Sequence, residues 1–574
     1  MMKQKNYPLY EVKTFSDFRD MLTQAQADAG EQAAFKFKQG KNIRSVSYNE
    51  LKSDVDTLSG ALCSLGFDTK HVACVGPNSY RWANIYLSML CCSGVFVPID
   101  AKLLADEIIH IVNDSDSEVL FYGTGFAKAI EGALDSMPKV KLFVEFDGTE
   151  DMEASGETGE LGKLTSMRRM FEIGREYLKT LGEKPLYTKF NDQDDMKMLV
   201  YTSGTTGVAK GVMLSERNLV SDVYYGLQVS TVFGTCLSVL PFHHTYEAVC
   251  GLLVGLHKHV TICINESLRS VAGNLKLYKP DYILLVPLFV ESFYKKIWRE
   301  IDDKKKTGAV KFLIVVSNML RTIGIDKRDV FFAQIREAFG GNIKKLVSGG
   351  APIRAELGKF FDDIGVTLVN GYGITECSPL VSANRDYYND CSTVGVKLPC
   401  CEVKIDAPDD EGTGEICVKG DNVMLGYYKN PALTAEVLEP SGWFHTGDYG
   451  CLDDEKRLAI RGRKKNLIVL NNGENIYPEE IENYILSLPL VKEVIVSALV
   501  NESGAEYGLC AEVFPNEEVV KENHITNIQQ TVTDAINKLT EKLPTHKQIT
   551  KVLLRTVEFD KTTSAKIKRQ YSKA

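Results

Sequence analysis

The sequence predicts an α/β protein in two parts: a large N-terminal domain of layered, mostly parallel sheets with helices, then a small α+β C-terminal domain. Three observations predict this. Apolar strand-like runs alternate with helical patterns through about the first 400 residues. The chain has 574 residues, whereas single cores stop growing near about 250–300. The pattern then changes character after about residue 460, leaving a segment of domain size.

Taken in order, the stretch "VSYNELKSDVDTLSGALCSLGF" predicts a helix, because Leu51, Val55, Leu58, Leu62 and Leu65 recur at three or four residues and Gly66 offers a C-cap. "HVACVG" follows as a short buried strand. Residues 146–195 begin acidic and Gly-rich, in "FDGTEDMEASGETGELGK", and read as a surface excursion. "MKMLVYTSG" reads as a strand running into a turn. The most apolar window, "LSVLPFHHTYEAVCGLLVGL", carries two histidines and a glutamate, so it reads as a buried element and not a membrane span. Near "RGRKKN" a charged run suits an exposed connection, which divides the chain into 1–463 and 464–574. Beyond it, "PEEIENYILSL" is a helix and "VKEVIVSALV" and "YGLCAEVF" are strands. Ile525, Ile528, Val532, Ile536, Leu539 and Leu543 then make one helical stripe.

Composition narrows the function classes. A hydrophobic share of 44% with 25% charged residues describes a globular protein, and a net charge of -9 argues against a nucleic-acid partner. The start has no secretory pattern, which makes the cytoplasm the expected compartment. Fourteen cysteines are scattered without a C-x-x-C, so they read as small apolar residues and no structural zinc site is expected.

The stretch "YTSGTTGVAKG" at 201–211 carries chemistry. Thr202, Ser203, Thr205 and Thr206 supply hydroxyls, Gly204 and Gly207 let the backbone come close to a ligand, and Lys210 adds a positive charge. Such a loop suits a polyphosphate. It is not a Walker A loop, which would need Gly where Ala209 stands and Ser or Thr where Gly211 stands.

This stretch resembles the phosphate loop of the AMP-forming adenylating superfamily, which includes acyl-CoA synthetases, adenylation domains of peptide synthetases and firefly-type luciferases. Ala209 in place of Pro is the one departure. Further segments stand in the family's order. "SGGAP" at 348–352 resembles the adenine-binding segment and implies nucleotide contacts at Gly350, Ala351 and Pro352. "NGYGITE" at 370–376 resembles the adenine- and magnesium-binding segment, with Asn370, Gly371, Tyr372 and Gly373 at the nucleotide. "WFHTGD" implies that Asp448 holds the ribose hydroxyls, and the resemblance adds Ile460 and Arg463 to the nucleotide site. "GRKKNLIVLNNGENIYPEEIE" resembles the junction into a mobile C-terminal lid, with Lys465 as its hinge. "TTSAKIKR" resembles the loop bearing the catalytic lysine, here Lys566 after Ala565 where the family usually has Gly. The resemblance also implies a β-barrel-like portion in the N-terminal domain.

The implied reaction joins a carboxylate to ATP, releases pyrophosphate, and passes the acyl group to a thiol. Two anions must meet, and unit charges about 4 Å apart repel by roughly 4 kcal/mol at an effective dielectric of 20, so cations are required. By resemblance Glu376 and Thr205 hold Mg²⁺, Thr375 donates to the α-phosphate, and Lys566 bridges carboxylate and α-phosphate. "LPFHHTYE" supplies the acyl pocket with His244 as a gate near the carboxylate, although His243 and His244 also fit as ordinary core histidines.

The stretches "LLVPLFVESFYKKI", "REAFGGNIKKLVSGGAPI" and "GTGEICVKGDNVMLGYYKNP" look most like medium-to-long-chain fatty acyl-CoA synthetases, which implies a fatty acid, ATP and CoA as small-molecule partners. The alternatives are a ligase loading the phosphopantetheine of a carrier protein, a luciferase-like oxygenase, or an inactive nucleotide-binding regulator. A membrane-surface scaffold has no lipidation motif or basic amphipathic helix to support it. Peripheral membrane contact near the acid entrance is compatible with the ligase reading.

Overall fold

The computed structural model describes residues 6–146, 162–182, 184–187, 192–203, 209–470, 474–500, 506–561, 567 and 569. Two compact units emerge, one of Met1–Glu402 with Val418–Phe444, the other of Val403–Cys417 with His445–Ala574.

The first unit contains two large sheets. One has nine strands, whose central five, in the order Thr367–Gly373, Lys345–Ser348, Tyr282–Leu285, Thr235–Ser238 and Thr261–Ile264, run parallel. The other has eight strands, parallel from Met196–Ser203 through Val95–Ile99, His71–Val75, Val119–Gly123 and Leu142–Phe146 to Leu164–Ser166. Parallel strands need covering on both faces, which explains their unbroken apolar character. Val95–Ile99 and Val119–Gly123 are buried at every residue. The helix Tyr80–Cys91 is buried all round, and Trp82 packs its ring against both Phe96 of one sheet and Phe242, which follows a strand of the other. These layers are the α/β architecture read from the alternating pattern.

The helix Tyr48–Leu65 forms as the spacing predicts. Ser47 caps its start by accepting from the Glu50 N–H, Leu51, Val55, Leu58 and Leu62 are buried, and Gly66 closes it at φ 74, a left-handed position that suits glycine. One expectation is corrected. The surface excursion at 146–195 holds a strand, Leu164–Ser166, and a fifteen-residue helix, Met167–Leu181, that buries Met167, Met170, Phe171 and Gly174. This helix packs so tightly on Tyr48–Leu65 that a Cβ at Gly174 would lie 1.9 Å from the Thr57 carbonyl oxygen. Most of the acidic Gly-rich run ahead of it lies outside the described residues.

The second unit carries most of a four-stranded sheet, ordered Cys401–Asp406, Gly414–Gly420, Phe444–Leu452 and Leu458–Arg463, in the place of the expected barrel-like portion. It also contains the C-terminal α+β fold. Val491–Val500 pairs antiparallel with Glu506–Pro515, and Ile549–Leu554 joins in parallel. Ile481 and Ile485 of the helix Pro478–Ile485, and Val532 and Ile536 of Ile528–Thr540, are buried in one core with Val494, Val496 and Val513. Among the described residues no helix is long and apolar enough to cross a membrane.

Candidate functional site

In an α/β sheet, ligand-binding loops gather beyond the carboxyl ends of the parallel strands. Three predicted segments leave the nine-stranded sheet there. His243 and His244 follow Thr235–Ser238, Gly349–Pro352 follow Lys345–Ser348, and Thr375 with Glu376 follow Thr367–Gly373. Ser348 pairs with Asn370, so the last two segments depart side by side.

The phosphate-loop stretch is a hairpin. Met196–Ser203 pairs antiparallel with Ala209–Ser215, with Thr202 opposite Lys210 and Ser203 opposite Ala209, so Ala209 is the first ladder residue after the loop. Gly204, Thr205, Thr206 and Gly207 lie outside the described residues, as does the Ser203 side chain. The Thr202 hydroxyl is buried without a hydrogen-bond partner among the described residues, a polar atom left for a ligand to satisfy.

Lys210 reaches Glu376 through a residue that sequence reasoning missed. Its Nζ donates to the Tyr427 hydroxyl at 2.7 Å, and that hydroxyl donates to Glu376 Oε1 at 2.9 Å. Lys210 and Glu376 are 3.3 Å apart, and the Glu376 carbonyl accepts from the Met424 N–H. Partial burial and the Glu376 carboxylate push the Tyr427 phenol well above its ordinary value, so it stays a donor. Tyr427 sits in the two-residue strand Gly426–Tyr427, which pairs with Ala209–Ser215 across more than 200 residues of sequence. No local pattern signals it, although it lies within "MLGYYKNP".

Glycines let these segments come together. A Cβ at Gly373 would stand 2.2 Å from the Pro379 carbonyl oxygen, and one at Gly349 would meet the Tyr246 ring at 3.0 Å. Gly350, Ala351 and Pro352 are exposed, open to a ligand. Asn370 is buried instead. Its amide donates to the Thr393 carbonyl at 2.9 Å and accepts from Asn384 at 2.6 Å, which orders the strand below Gly371, Tyr372 and Gly373.

The acyl-side segment enters a π-helix, Tyr246–Leu253, a form that recurs at functional sites. Tyr246 donates to the Val347 carbonyl, tying this helix to the strand before Gly349. The His243 and His244 rings lie 4.2 Å apart, and His243 Nε2 is 3.5 Å from Asp100. Glu247 was passed over in the sequence. It is 1% exposed, accepts from the Ser238 hydroxyl at Oε1, and has no partner at Oε2 among the described residues. Burial pushes its carboxyl up to about 8, so it is held as the neutral acid at neutral pH. Among the described residues no three His, Cys, Asp or Glu groups cluster as a metal cage. A single carboxylate such as Glu376 still suits Mg²⁺, which takes one or two carboxylates plus substrate phosphates.

The second unit brings Asp448 and Arg463 opposite each other on paired strands, with Arg463 Nε 2.7 Å from Asp448 Oδ1. Gly447, at φ 70 within the strand Phe444–Leu452, donates its N–H to Glu415, which also receives Lys464 Nζ at 2.7 Å. Ile460 is half-buried opposite Gly450 on the same strand as Arg463. Lys465 lies in the following turn, its amine held below the ordinary lysine value by partial burial and by Arg463 and Arg569. Ala565 and Lys566 lie outside the described residues.

Residues 22–428 match the family model of AMP-binding enzymes, and residues 465–573 match that of the AMP-binding enzyme C-terminal domain. A long-chain-fatty-acid–CoA ligase of Homo sapiens is 30% identical over 479 residues, covering 79% of this chain and 67% of its own. A chloroplastic long-chain-fatty-acid–[acyl-carrier-protein] ligase of Arabidopsis thaliana is 27% identical over 519 residues, covering 79% of this chain and 70% of its own. In fold, the crystal structure of an anthranilate CoA ligase in complex with anthranoyl-AMP superposes with a TM-score of 0.74 at 18% identity, over 97% of this chain and 96% of that one.

Proposed function

Because the chain belongs to the family of AMP-binding enzymes, we propose that it activates a fatty acid with ATP and passes the acyl group to CoA. It is an adenylate-forming acid–thiol ligase of that family; the fatty acid, and CoA in preference to a carrier-protein phosphopantetheine, are our reading. The observation that carries it is the meeting of Lys210, Tyr427 and Glu376 beside the hairpin and the strand ends.

In the first half-reaction a carboxylate oxygen attacks the α-phosphorus as the bond to pyrophosphate breaks. In the second, the thiol sulfur attacks the acyl carbon and AMP leaves. Lys210 and the Thr202 hydroxyl face the phosphates, Thr375 donates to the α-phosphate, and Asp448 with Arg463 holds the ribose. Glu376 and Thr205 would hold Mg²⁺, which supplies charge neutralisation on the phosphates when bound. Lys566 neutralises the two meeting anions in the transition state, where such a charge counts most. The lid, residues 464–574, turns about Lys465 between the half-reactions, as a hinge between rigid bodies does.

The test is ATP–pyrophosphate exchange across straight-chain acids of graded length, followed by thioester formation with CoA or with an acyl carrier protein. Exchange that depends on a fatty acid, with thioester formed on CoA, is expected. Exchange without acid dependence overturns the ligase reading, and thioester formed only on the carrier protein overturns the choice of CoA.

A further inference from the structure

The helix Thr307–Thr322 carries large apolar residues on its outward side as well as on its inward one. The side it turns to the protein buries Val310, half-buries Leu313 and Ile314, and is anchored by polar groups. Ser317 is buried, the Asn318 amide donates to Asp363 at 2.8 Å, and Arg321 Nη1 lies 2.9 Å from Asp362. Its outward side is apolar: Phe312 is 67% exposed, Val315 57%, Met319 66% and Ile323, just past the helix end, 70%. These positions step by three, four and four residues, which puts them on one stripe, and Ile325 extends it. Single exposed apolar residues need no explanation, but a contiguous stripe of large ones marks a surface that meets something. The sequence conceals this, because "FLIVV" reads as a run destined for the core.

Charge identifies what it meets. Lys304, Lys305 and Lys306 stand exposed just ahead of the helix and Lys311 within it, and none has a carboxylate at ion-pair distance among the described residues. Asp302 is engaged by the Thr307 hydroxyl. A basic cluster beside an apolar stripe complements an anionic bilayer, where each lysine near the surface contributes about 1 kcal/mol. The chain as a whole carries a net charge of -9, so this cluster runs against the global balance. At sixteen residues the helix is too short to span a bilayer and suits lying in its interface.

We propose that Thr307–Thr322 docks this protein on anionic lipid bilayers, with Phe312, Val315, Met319 and Ile323 inserted among the acyl chains and Lys304–Lys306 and Lys311 at the headgroups. Docking is independent of the proposed reaction and is read without it.

The experiment is co-sedimentation of the full chain with vesicles of phosphatidylcholine alone and of phosphatidylcholine with phosphatidylglycerol, at low and high salt. Binding to the anionic vesicles that weakens with salt is expected. Phe312→Ser with Met319→Ser, and separately Lys304→Glu with Lys305→Glu and Lys306→Glu, should each lower it at least about tenfold. All five side chains are exposed, so thermal denaturation should match the wild type. Failure of the wild type to bind anionic vesicles overturns the proposal, as does binding that both variants retain. Concentration-dependent dimerisation abolished by Phe312→Ser with Met319→Ser, without vesicle binding, would assign the stripe to a second copy.

Discussion

Two glutamates follow strands of the same sheet and meet opposite fates. Glu376, after Thr367–Gly373, keeps a cation 3.3 Å away in Lys210 and a phenol donor in Tyr427. Glu247, after Thr235–Ser238, has among the described residues only the Ser238 hydroxyl, with Gly251 so close that a Cβ there would lie 2.8 Å from its carboxyl carbon. Position beside a candidate site does not decide what a carboxyl does; its partners do. A carboxylate matched by a lysine can exchange that lysine for a divalent ion. A carboxyl buried without a cation keeps its proton and becomes part of the scaffold.

The largest effect that tests this contrast is in adenylation. Glu376→Gln should lower ATP–pyrophosphate exchange by about 10²–10³, the range for losing a preorganised transition-state charge. Thioester formation from preformed acyl-adenylate should be nearly unchanged. Lys566→Ala should show the same split, because its loop serves one half-reaction, and Lys465→Pro the opposite split, because the lid can no longer turn. Loss below threefold with Glu376→Gln would remove that residue from the phosphate site.

Glu247 predicts a pH effect on stability. Its carboxyl sits at about 8 in the folded protein against an ordinary value of 4.5, so folding favours the protonated form. The stability it contributes is complete below about pH 4.5, declines as pH rises, and is gone above about pH 8. Glu247→Gln, a neutral isostere, should flatten the thermal stability profile across this window. At pH 8 it should exceed the wild type by an amount of the order of a few kcal/mol. Parallel profiles would mean that Glu247 is ionised with a partner. A smaller effect follows from the tight packing on the same helix. Gly251→Ala should cost about 1–3 kcal/mol, because the carboxyl it meets is fixed by Ser238 and cannot swing away. Unchanged denaturant midpoints would contradict that fixity.

Sequence reading followed physical range. Tyr48–Leu65 and the C-terminal helices and strands were legible because their signals, periodicity and caps, are local. The strand Met196–Ser203 and the turn after it were legible because an apolar run ends in hydroxyls and glycines, whereas its antiparallel return along Ala209–Ser215 was not. Met167–Leu181 was missed because its acidic lead-in masked the stripe of Met167, Met170 and Phe171. The outward apolar side of Thr307–Thr322 escaped notice because hydrophobicity in a sequence carries no direction until Asn318 and Arg321 find partners on another helix. At the site, the segments bearing Lys210, Glu376 and Asp448 were placed by resemblance. Tyr427 was not singled out, since its importance lies in a pairing formed across more than 200 residues.

Tyr427 also supplies the mildest test of the contrast. Its hydroxyl bridges Lys210 and Glu376, and the lysine amine lies 4.2 Å from its ring centre. Tyr427→Phe removes two hydrogen bonds but keeps the ring and both charges, so the ion pair survives with its geometry loosened. The net value of such a bond is about 0.5–1.5 kcal/mol, which predicts a fall in pyrophosphate exchange of only a fewfold to about tenfold. The second half-reaction should be untouched. Because the phenol keeps its proton across the accessible range, the fall should be independent of pH between 6 and 9 in ~50 mM salt. A loss as deep as that of Glu376→Gln would make the hydroxyl itself a ligand of the phosphates, and Lys210 and Glu376 would then be joined by more than their charges.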